Sequence, residues 1–266
     1  MMIPIKSGTI CFAVRSHTGL VRKNNEDNFY CNGEILNQEI FSLDGAAKSP
    51  CIFAVCDGMG GEEHCELASR VAVKVLEERA EKIKSAALSK QIDEAVQNFI
   101  YVANNKICKI MRENSFRMGT TIALVVISNN SVKAYNIGDS RLYKFQNGIL
   151  SQISEDHTIA QQKVKMGLLT AEQARNDKSK HILTRCLGVF EDEMILTPNV
   201  IPPLGVDKDL RLLLCSDGLT DMISDNQIQD GLRLNKNSKS AVNALVDLAL
   251  QNGGRDNITC LIIDFN

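Results

Sequence analysis

The sequence of 266 residues lacks an excess of charge of either sign, a long hydrophobic run and any Cys-x-x-Cys pair. Its 30 Lys and Arg residues are offset by 32 Asp and Glu residues, for a formal net charge of −2. This balance argues against a surface that binds nucleic acid, because such a surface needs clustered basic residues. Apolar runs such as residues 122–127 are far shorter than the roughly 20 residues that span a bilayer. We expect neither nucleic acid nor a membrane as a partner.

The nine cysteines are an odd number, and several lie inside apolar runs such as IFAVC and LLLC. This placement favours buried free thiols in a reducing compartment. Residues 1–16 contain no apolar stretch of the length that a signal peptide needs. We therefore expect a cytoplasmic protein. Hydrophobic residues make up 44% of the chain, as in ordinary globular proteins, and no stretch resembles a linker. The sequence thus predicts one compact domain over residues 1–266.

Local patterns predict six strands and three long helices. The strands are expected at residues 9–14, 51–56, 120–127, 132–137, 210–215 and 257–265. The helices are expected to begin near residue 66, to cover residues 92–110, and to cover residues 240–250. Loops are expected near residues 43–50, 128–131, 201–205 and 235–240. Because helices lie between groups of strands without regular βαβ alternation, the pattern indicates an α+β fold with antiparallel sheets.

Aspartates lie at the ends of four of the apolar strands. Asp57 and Asp217 each follow a strand and precede a glycine, Asp139 follows a strand and Gly138, and Asp256 precedes the last strand. A single Asp-Gly pair is equally well explained as a turn. Carboxylates that cluster repel one another, and a divalent cation such as Mg²⁺ or Mn²⁺ removes the repulsion. If the four aspartates meet, they are suited to a two-metal hydrolase.

A polar segment near the N-terminus, VRKNNED, adds Arg22, Glu26 and Asp27. An arginine beside a metal site suits a phosphoryl group, because its planar guanidinium can bond two phosphate oxygens at once. Taken alone, the segment is better explained as a solvated charged loop.

Seven motifs in this order resemble those of the metal-dependent Ser/Thr protein phosphatases, the PPM or type 2C family, in their compact bacterial form. They are VRKNNED, FAVCDGMGG, MGTTIAL, YNIGDSRLY, SEDHT, LLLCSDGL and GGRDNIT. The resemblance extends from about residue 9 to residue 265. It implies an αββα sandwich, in which two antiparallel sheets pack face to face between helices. Residues 165–190 resemble the mobile flap beside the active site of that family.

The resemblance implies a metal centre of two core ions, Mn²⁺ or Mg²⁺, with a weaker third ion. Asp57 matches the aspartate that bridges the core ions, and Gly58 matches the glycine whose carbonyl binds one of them. Asp217 and Asp256 match the other direct carboxylate ligands. Asp139 matches an acid that helps to bind the third ion.

The implied activity is hydrolysis of phosphoserine and phosphothreonine in proteins by direct attack of a metal-bridged hydroxide, in opposition to a Ser/Thr protein kinase. Arg22 matches the arginine that holds the substrate phosphate. Glu26 and Asp27 match acids that orient metal-bound water.

The sequence departs from the family pattern after the Asp-Gly pair. Met59 stands where some members have a histidine, the proposed acid for the leaving alkoxide. Glu62 and Cys65 stand where His and Gly are common, which concerns the packing of the loop. Of the other histidines, we expect His64 at the surface near a helix start, and His157 and His181 in structural or surface positions.

Other functions are less well supported by the residues. No cysteine is followed six positions later by arginine, as a cysteine phosphatase requires, and no Gly-x-Ser-x-Gly or His-Glu-x-x-His motif occurs. A two-metal nuclease should carry a basic track for the nucleic-acid backbone. A phosphatase-like domain without turnover should lack one of the metal acids, whereas Asp57, Asp217 and Asp256 are all present.

Overall fold

The computed structural model describes residues 9–37, 41–60, 65–89, 91–129, 131–194 and 196–265. The strands are β1 (Ile10–His17), β2 (Asp27–Cys31), β3 (Glu34–Ile35), β4 (Ser42–Ala47), β5 (Cys51–Gly60), β6 (Met118–Thr120), β7 (Ile122–Ser128), β8 (Ser131–Ile137), β9 (Arg141–Gln146), β10 (Ile149–Gln152), β11 (Asn199–Gly205), β12 (Arg211–Cys215) and β13 (Ile258–Phe265). The helices are α1 (Cys65–Ser89), α2 (Ile92–Asn114), α3 (Ile159–Lys165), α4 (Ala171–Arg175), α5 (Asp217–Thr220), α6 (Asp225–Leu234) and α7 (Ser238–Gln251). None of the helices in these ranges has the length and apolarity needed to cross a bilayer.

The strands form two sheets in which every neighbouring pair is antiparallel. One sheet has the order β10-β9-β12-β13-β1-β4, and the other has the order β11-β8-β7-β5-β2-β3, with β6 paired to β5. The two sheets pack face to face. The rings of Phe12 on β1 and Phe53 on β5 meet between them, with centroids 5.1 Å apart.

Alternation along the central strands places side chains in separate cores. On β5, Phe53 and Val55 point between the sheets, whereas Ile52 and Ala54 point toward α1 and α2. A third core packs α5, α6 and α7 against the opposite face of the other sheet. Since these strands are buried on both faces, their sequences are continuous apolar runs. The predicted αββα sandwich is confirmed.

The six predicted strands and three predicted helices are present, but two predicted loops are wrong. Residues 43–50 contain most of β4, an edge strand held by backbone pairing to β1, in which Gly45 lies opposite Phe12. Residues 201–205 belong to β11, another edge strand, and its register shifts between Ile201 and Leu204. The two prolines between these residues are tolerated because a bulge on an edge strand needs fewer backbone donors.

Candidate active site

The sequence-predicted aspartates come together at one end of the sandwich. Strand pairing explains the convergence: β2 begins at Asp27, directly opposite Asp57 on β5. The end of β12 lies against the start of β13, with Cys215 opposite Cys260. Asp217, two residues after Cys215, is thereby brought close to Asp256, which precedes β13.

Burial and repulsion from neighbouring carboxylates both act on Asp57. Burial raises the pKa of the Asp57 carboxyl well above its usual value, and the charges of four other aspartates raise it further. These neighbours are Asp27, Asp217, Asp139 and Asp256. The geometry brings these acids into one region: Asp27 lies opposite Asp57, Ser216 beside Asp217 donates to Asp27, and ligand atoms of Asp139 and Asp217 lie within 4.8 Å of each other. The segments that carry them are far apart in the chain.

Asp27 is the most deeply buried of these acids, with 1% of its surface exposed. Its Oδ2 accepts hydrogen bonds from the hydroxyls of Ser216 and Thr259, each over 2.7 Å. Its Oδ1 is buried and has no hydrogen-bond partner among the described residues. Burial, opposed by the two hydroxyl donors, raises the pKa of Asp27 to about 7, and nearby carboxylates contribute.

The MGTT motif holds the backbone of Asp57 in place. The Asp57 N–H donates to the Thr121 hydroxyl over 3.0 Å. The Asp57 carbonyl accepts from the Thr120 hydroxyl over 2.8 Å and from the Thr121 N–H over 2.9 Å. The Thr121 hydroxyl also pairs with the Ser140 hydroxyl over 2.6 Å, next to Asp139. The two threonines thus connect the strand ends that carry Asp57 and Asp139.

The side chain of Asn257 holds the backbone of the N-terminal motif in place. Its Oδ1 accepts from the Glu26 N–H, and its Nδ2 donates to the carbonyls of Thr18 and Asn24, each over 2.8 Å. The Glu26 carbonyl in turn accepts from the Gly58 N–H over 3.1 Å. The N-terminal segment is therefore fixed against both Asp-containing turns. The sequence motif predicts a role for Asp256 and none for Asn257.

Arg22 lies at the rim of the cluster, with about half of its side chain exposed, and its Nη2 contacts Asp256 Oδ2 at 2.7 Å. The loop before it is fixed by Gly19, which has a φ of +84° and packs against the Asp256 carbonyl. A side chain at position 19 would collide with that carbonyl. Arg22 is thus held beside the acids with part of its guanidinium open to solvent.

His181 belongs to the site, although the sequence predicted only a structural or surface position for it. Its Nδ1 lies 3.2 Å from Asp217 Oδ2, and its Nε2 lies 3.1 Å from Asp221 Oδ2. These two contacts raise the pKa of His181 to about 10. Ligand atoms of Asp139, His181 and Asp217 lie within 4.8 Å of one another. The sequence offered only one signal, the position of His181 inside the segment that resembles a flap.

Four other residues singled out from the sequence are not among the proposed ligands. Met59 lies beside the cluster with 37% of its surface exposed. His157 is buried, and its Nδ1 accepts from the Gly138 N–H over 3.0 Å, so its predicted structural role is consistent with its contacts. Glu62 and His64 lie outside the described residues. A cavity of about 740 Å³ opens next to Asp139 and Asp217.

Comparisons with known proteins identify the family. The protein phosphatase 2C profile matches residues 32–258. A serine/threonine phosphatase, stp, from Listeria innocua is 31% identical over 255 residues, which cover 95% of this chain and 94% of that protein.

Solved structures give the same result. The Mycobacterium tuberculosis serine/threonine phosphatase PstP/Ppp superposes with a TM-score of 0.79 at 31% identity, over 96% of this chain and 98% of that one. The catalytic domain of PstP in complex with two manganese ions superposes with a TM-score of 0.76 at 30% identity, over 97% and 99%. The chain therefore belongs to the protein phosphatase 2C family and is a serine/threonine protein phosphatase.

Proposed function

We propose that this chain hydrolyses phosphoserine and phosphothreonine esters of proteins at the acidic end of the sandwich, with Mn²⁺ or Mg²⁺ as cofactor. The observation that carries the proposal is the convergence of four acids from four separate segments. Asp27 lies opposite Asp57, Ser216 next to Asp217 donates to Asp27, and Gly218 next to Asp217 packs against Asp256. The related PstP catalytic domain holds two manganese ions, which supports the same cofactor here.

The residues present fit a pair of hard divalent cations. The cluster offers carboxylate oxygens, the ligands that Mg²⁺ and Mn²⁺ prefer. Asp27 Oδ1 is buried without a partner among the described residues, which is costly unless a cation or an ordered water meets it. The repulsion that raises the pKa of Asp57 is a second cost that bound cations would remove.

The proposed ligands are the residues predicted from the sequence. Asp57, Asp217 and Asp256 would hold the two core ions together with the Gly58 carbonyl, and Asp139 would contribute to a third position. Such ions supply activation of water for nucleophilic attack and neutralisation of charge on the transferring phosphoryl group.

The protein's own groups would bind and orient the substrate. The Arg22 guanidinium is fixed at the rim by Asp256 and can bond two oxygens of the phosphoryl group at once. Asp27 is held through Oδ2 by Ser216 and Thr259, and its buried Oδ1, which has no partner among the described residues, is proposed to orient water. Glu26 is proposed to share this role. Met59 carries no transferable proton, so the leaving alkoxide must receive its proton from another group.

We further propose that the phosphoproteins arise from a Ser/Thr kinase in the same compartment, and that this compartment is the cytoplasm. The buried cysteines Cys31, Cys51, Cys56 and Cys215 are thiols rather than disulfides, as in reducing compartments. We also infer that residues 1–266 constitute one phosphatase domain.

The proposal is tested by hydrolysis of a phosphothreonine peptide and of p-nitrophenyl phosphate with Mn²⁺ or with EDTA. We expect activity with Mn²⁺, its loss in EDTA, and at least a roughly hundredfold lower rate for Asp57→Asn. Asp44→Asn is the matched control, because Asp44 lies on edge strand β4 and contacts Lys239. Full activity of Asp57→Asn, or equal activity in EDTA, would contradict the proposal.

A further inference from the structure

The cavity beside the acidic cluster is lined by several parts of the chain, among them residues between 152 and 161. One wall belongs to the flap segment (residues 165–190) and includes Ala171 and Arg175. Another wall comes from α5 and the start of α6, and includes Thr220 and Asp225. The flap segment therefore forms one side of the cavity. Its volume of about 740 Å³ is ample for several residues of a polypeptide.

Besides the contacts of His181 with Asp217 and Asp221, two ion pairs of Arg and Lys join these walls among the described residues. Arg175 Nη2 lies 2.6 Å from Asp225 Oδ2, and Lys180 Nζ lies 2.9 Å from Asp221 Oδ1. The Arg175 and Asp225 side chains are 43% and 42% exposed. Ion pairs at this exposure are weak and sensitive to salt. They can hold the flap segment in place while still allowing it to open.

Asp225 is also held from the side of the sheet. Its Oδ1 accepts from the hydroxyl of the buried Tyr143 over 3.1 Å, and that hydroxyl accepts from Arg141 Nη1 over 3.1 Å. Arg141 is bound to Asp156 by three hydrogen bonds. The contacts thus run from the flap segment to Arg141, two residues after Asp139. Asp225 is therefore held in the orientation in which it contacts Arg175. This argues that the ion pair is a defined contact and not one of many positions of two mobile side chains.

We propose that Arg175 and Asp225 are positioning residues, whose ion pair latches the flap segment over the cavity so that the cavity receives the polypeptide around the phosphorylated residue. The inference rests on the proposed function for its substrate, but whether the ion pair holds the flap segment can be tested without measuring activity. A small aryl phosphate has no polypeptide to place in the cavity. Loss of the latch should therefore affect phosphopeptides and leave p-nitrophenyl phosphate largely unaffected.

The variants for the test are Arg175→Gln, Asp225→Asn and the double variant. The control is Glu78→Gln, which removes an ion pair of similar exposure between α1 and α2, from Glu78 to Lys106 at 2.7 Å. We expect hydrogen exchange in residues 166–182 to become about two- to fivefold faster in Arg175→Gln, and the control to leave it unchanged. About 0.5 M NaCl should accelerate exchange in the wild type and less so in the double variant.

The kinetic measurement uses the phosphothreonine peptide and p-nitrophenyl phosphate with Mn²⁺. We expect KM for the peptide to rise about three- to tenfold, with kcat for p-nitrophenyl phosphate within about twofold of the wild type. The double variant should be no worse than either single variant, because the interaction is lost only once.

Three results would overturn the inference. Unchanged exchange in Arg175→Gln would show that no latch exists. Equal losses on both substrates would show a general disturbance of the site rather than a role in peptide binding. Additive effects in the double variant would show that the two residues act separately. If the wild-type protein hydrolysed neither substrate, the proposed function and the substrate part of this inference would fail, whereas the exchange measurement would still decide whether the latch exists.

Discussion

The hydroxyl of Thr121 accepts a hydrogen bond from the backbone N–H of Asp57, and the backbone N–H of Thr121 donates to the carbonyl of Asp57. The rigid backbone holds the Asp57 carboxylate in position for its proposed role as a metal ligand. The geometry of this pair does not depend on the charge of Asp57. It depends on a hydroxyl at position 121.

Thr121→Val should therefore lower activity although it changes no proposed ligand. The substitution leaves the Asp57 N–H and the Ser140 hydroxyl without their shared partner, at about 1–2 kcal/mol of stability. We expect kcat to fall about tenfold with Mn²⁺, measured on p-nitrophenyl phosphate. Thr121→Ser keeps the hydroxyl and is the control; if it loses as much as the valine variant, packing rather than hydrogen bonding is responsible.

Asn257→Leu should unfold the N-terminal segment locally. Asn257 bonds the Glu26 N–H and the carbonyls of Thr18 and Asn24, and leucine satisfies none of them. We expect a loss of about 2–3 kcal/mol in urea denaturation, together with most of the activity. Asn257→Asp retains the acceptor for Glu26 and should lose less of both. Equal stability of the leucine variant and the wild type would contradict this account of the contacts.

Gly218→Ala should be strongly destabilising because there is no room for a methyl group. A Cβ at position 218 would lie 1.9 Å from the Asn257 carbonyl oxygen and 3.4 Å from Asp256 Cβ. Separating these backbones should cost about 3 kcal/mol or more and lower the melting temperature accordingly. Gly205→Ala is the matched control, because a Cβ there meets no described atom within 4 Å. Similar melting temperatures for the two variants would show that the turn at Gly218 can relax.

Cation binding should be visible in stability as well as in turnover. A ligand that binds only the folded state stabilises it, by about 2.7 kcal/mol at a hundredfold excess over Kd. We expect Mn²⁺ to raise the melting temperature of the wild type by about 5 °C and that of Asp57→Asn by clearly less. In EDTA the variant should be at least as stable as the wild type, because one repelling carboxylate is gone. An equal shift by Mn²⁺ in both proteins would exclude Asp57 as a ligand.

His157 should make the folded state sensitive to mild acid. Burial, reinforced by the charge of Arg185, lowers the pKa of His157 to about 4, whereas an unfolded histidine has a pKa near 6.5. Between these values the unfolded chain binds a proton that the folded chain does not, so stability is full above about pH 6.5 and falls as the pH approaches 4.

The measurement is urea denaturation of the wild type and His157→Gln between pH 7.5 and 4.5. The difference in unfolding free energy between the two proteins should shift in favour of the variant by about 1–2 kcal/mol over this range. A constant difference would mean that His157 titrates alike in both states.

Much of the fold follows from local sequence. Residues 51–56 and 210–215 are continuous apolar runs because their strands are covered on both faces, and such runs are recognisable without knowledge of partners. The helix over residues 92–110 is equally recognisable from its spacing. Strands β4 and β11 carry no such pattern, because backbone pairing at a sheet edge, rather than an apolar pattern, stabilises them.

The same distinction between local pattern and complete fold applies to the residues of the site. The acids at the strand ends can be identified from local sequence, since a turn after a buried strand is recognisable from residue types and spacing. Three contacts depend on the complete fold. Asp27 lies opposite Asp57, Ser216 and Thr259 both bond the Asp27 carboxylate across 189 and 232 residues of chain, and Arg175 contacts Asp225. Local sequence indicates which segments are buried and where turns occur. Which strands pair depends on the packing of the whole chain, and the contacts above form only when those strands are paired.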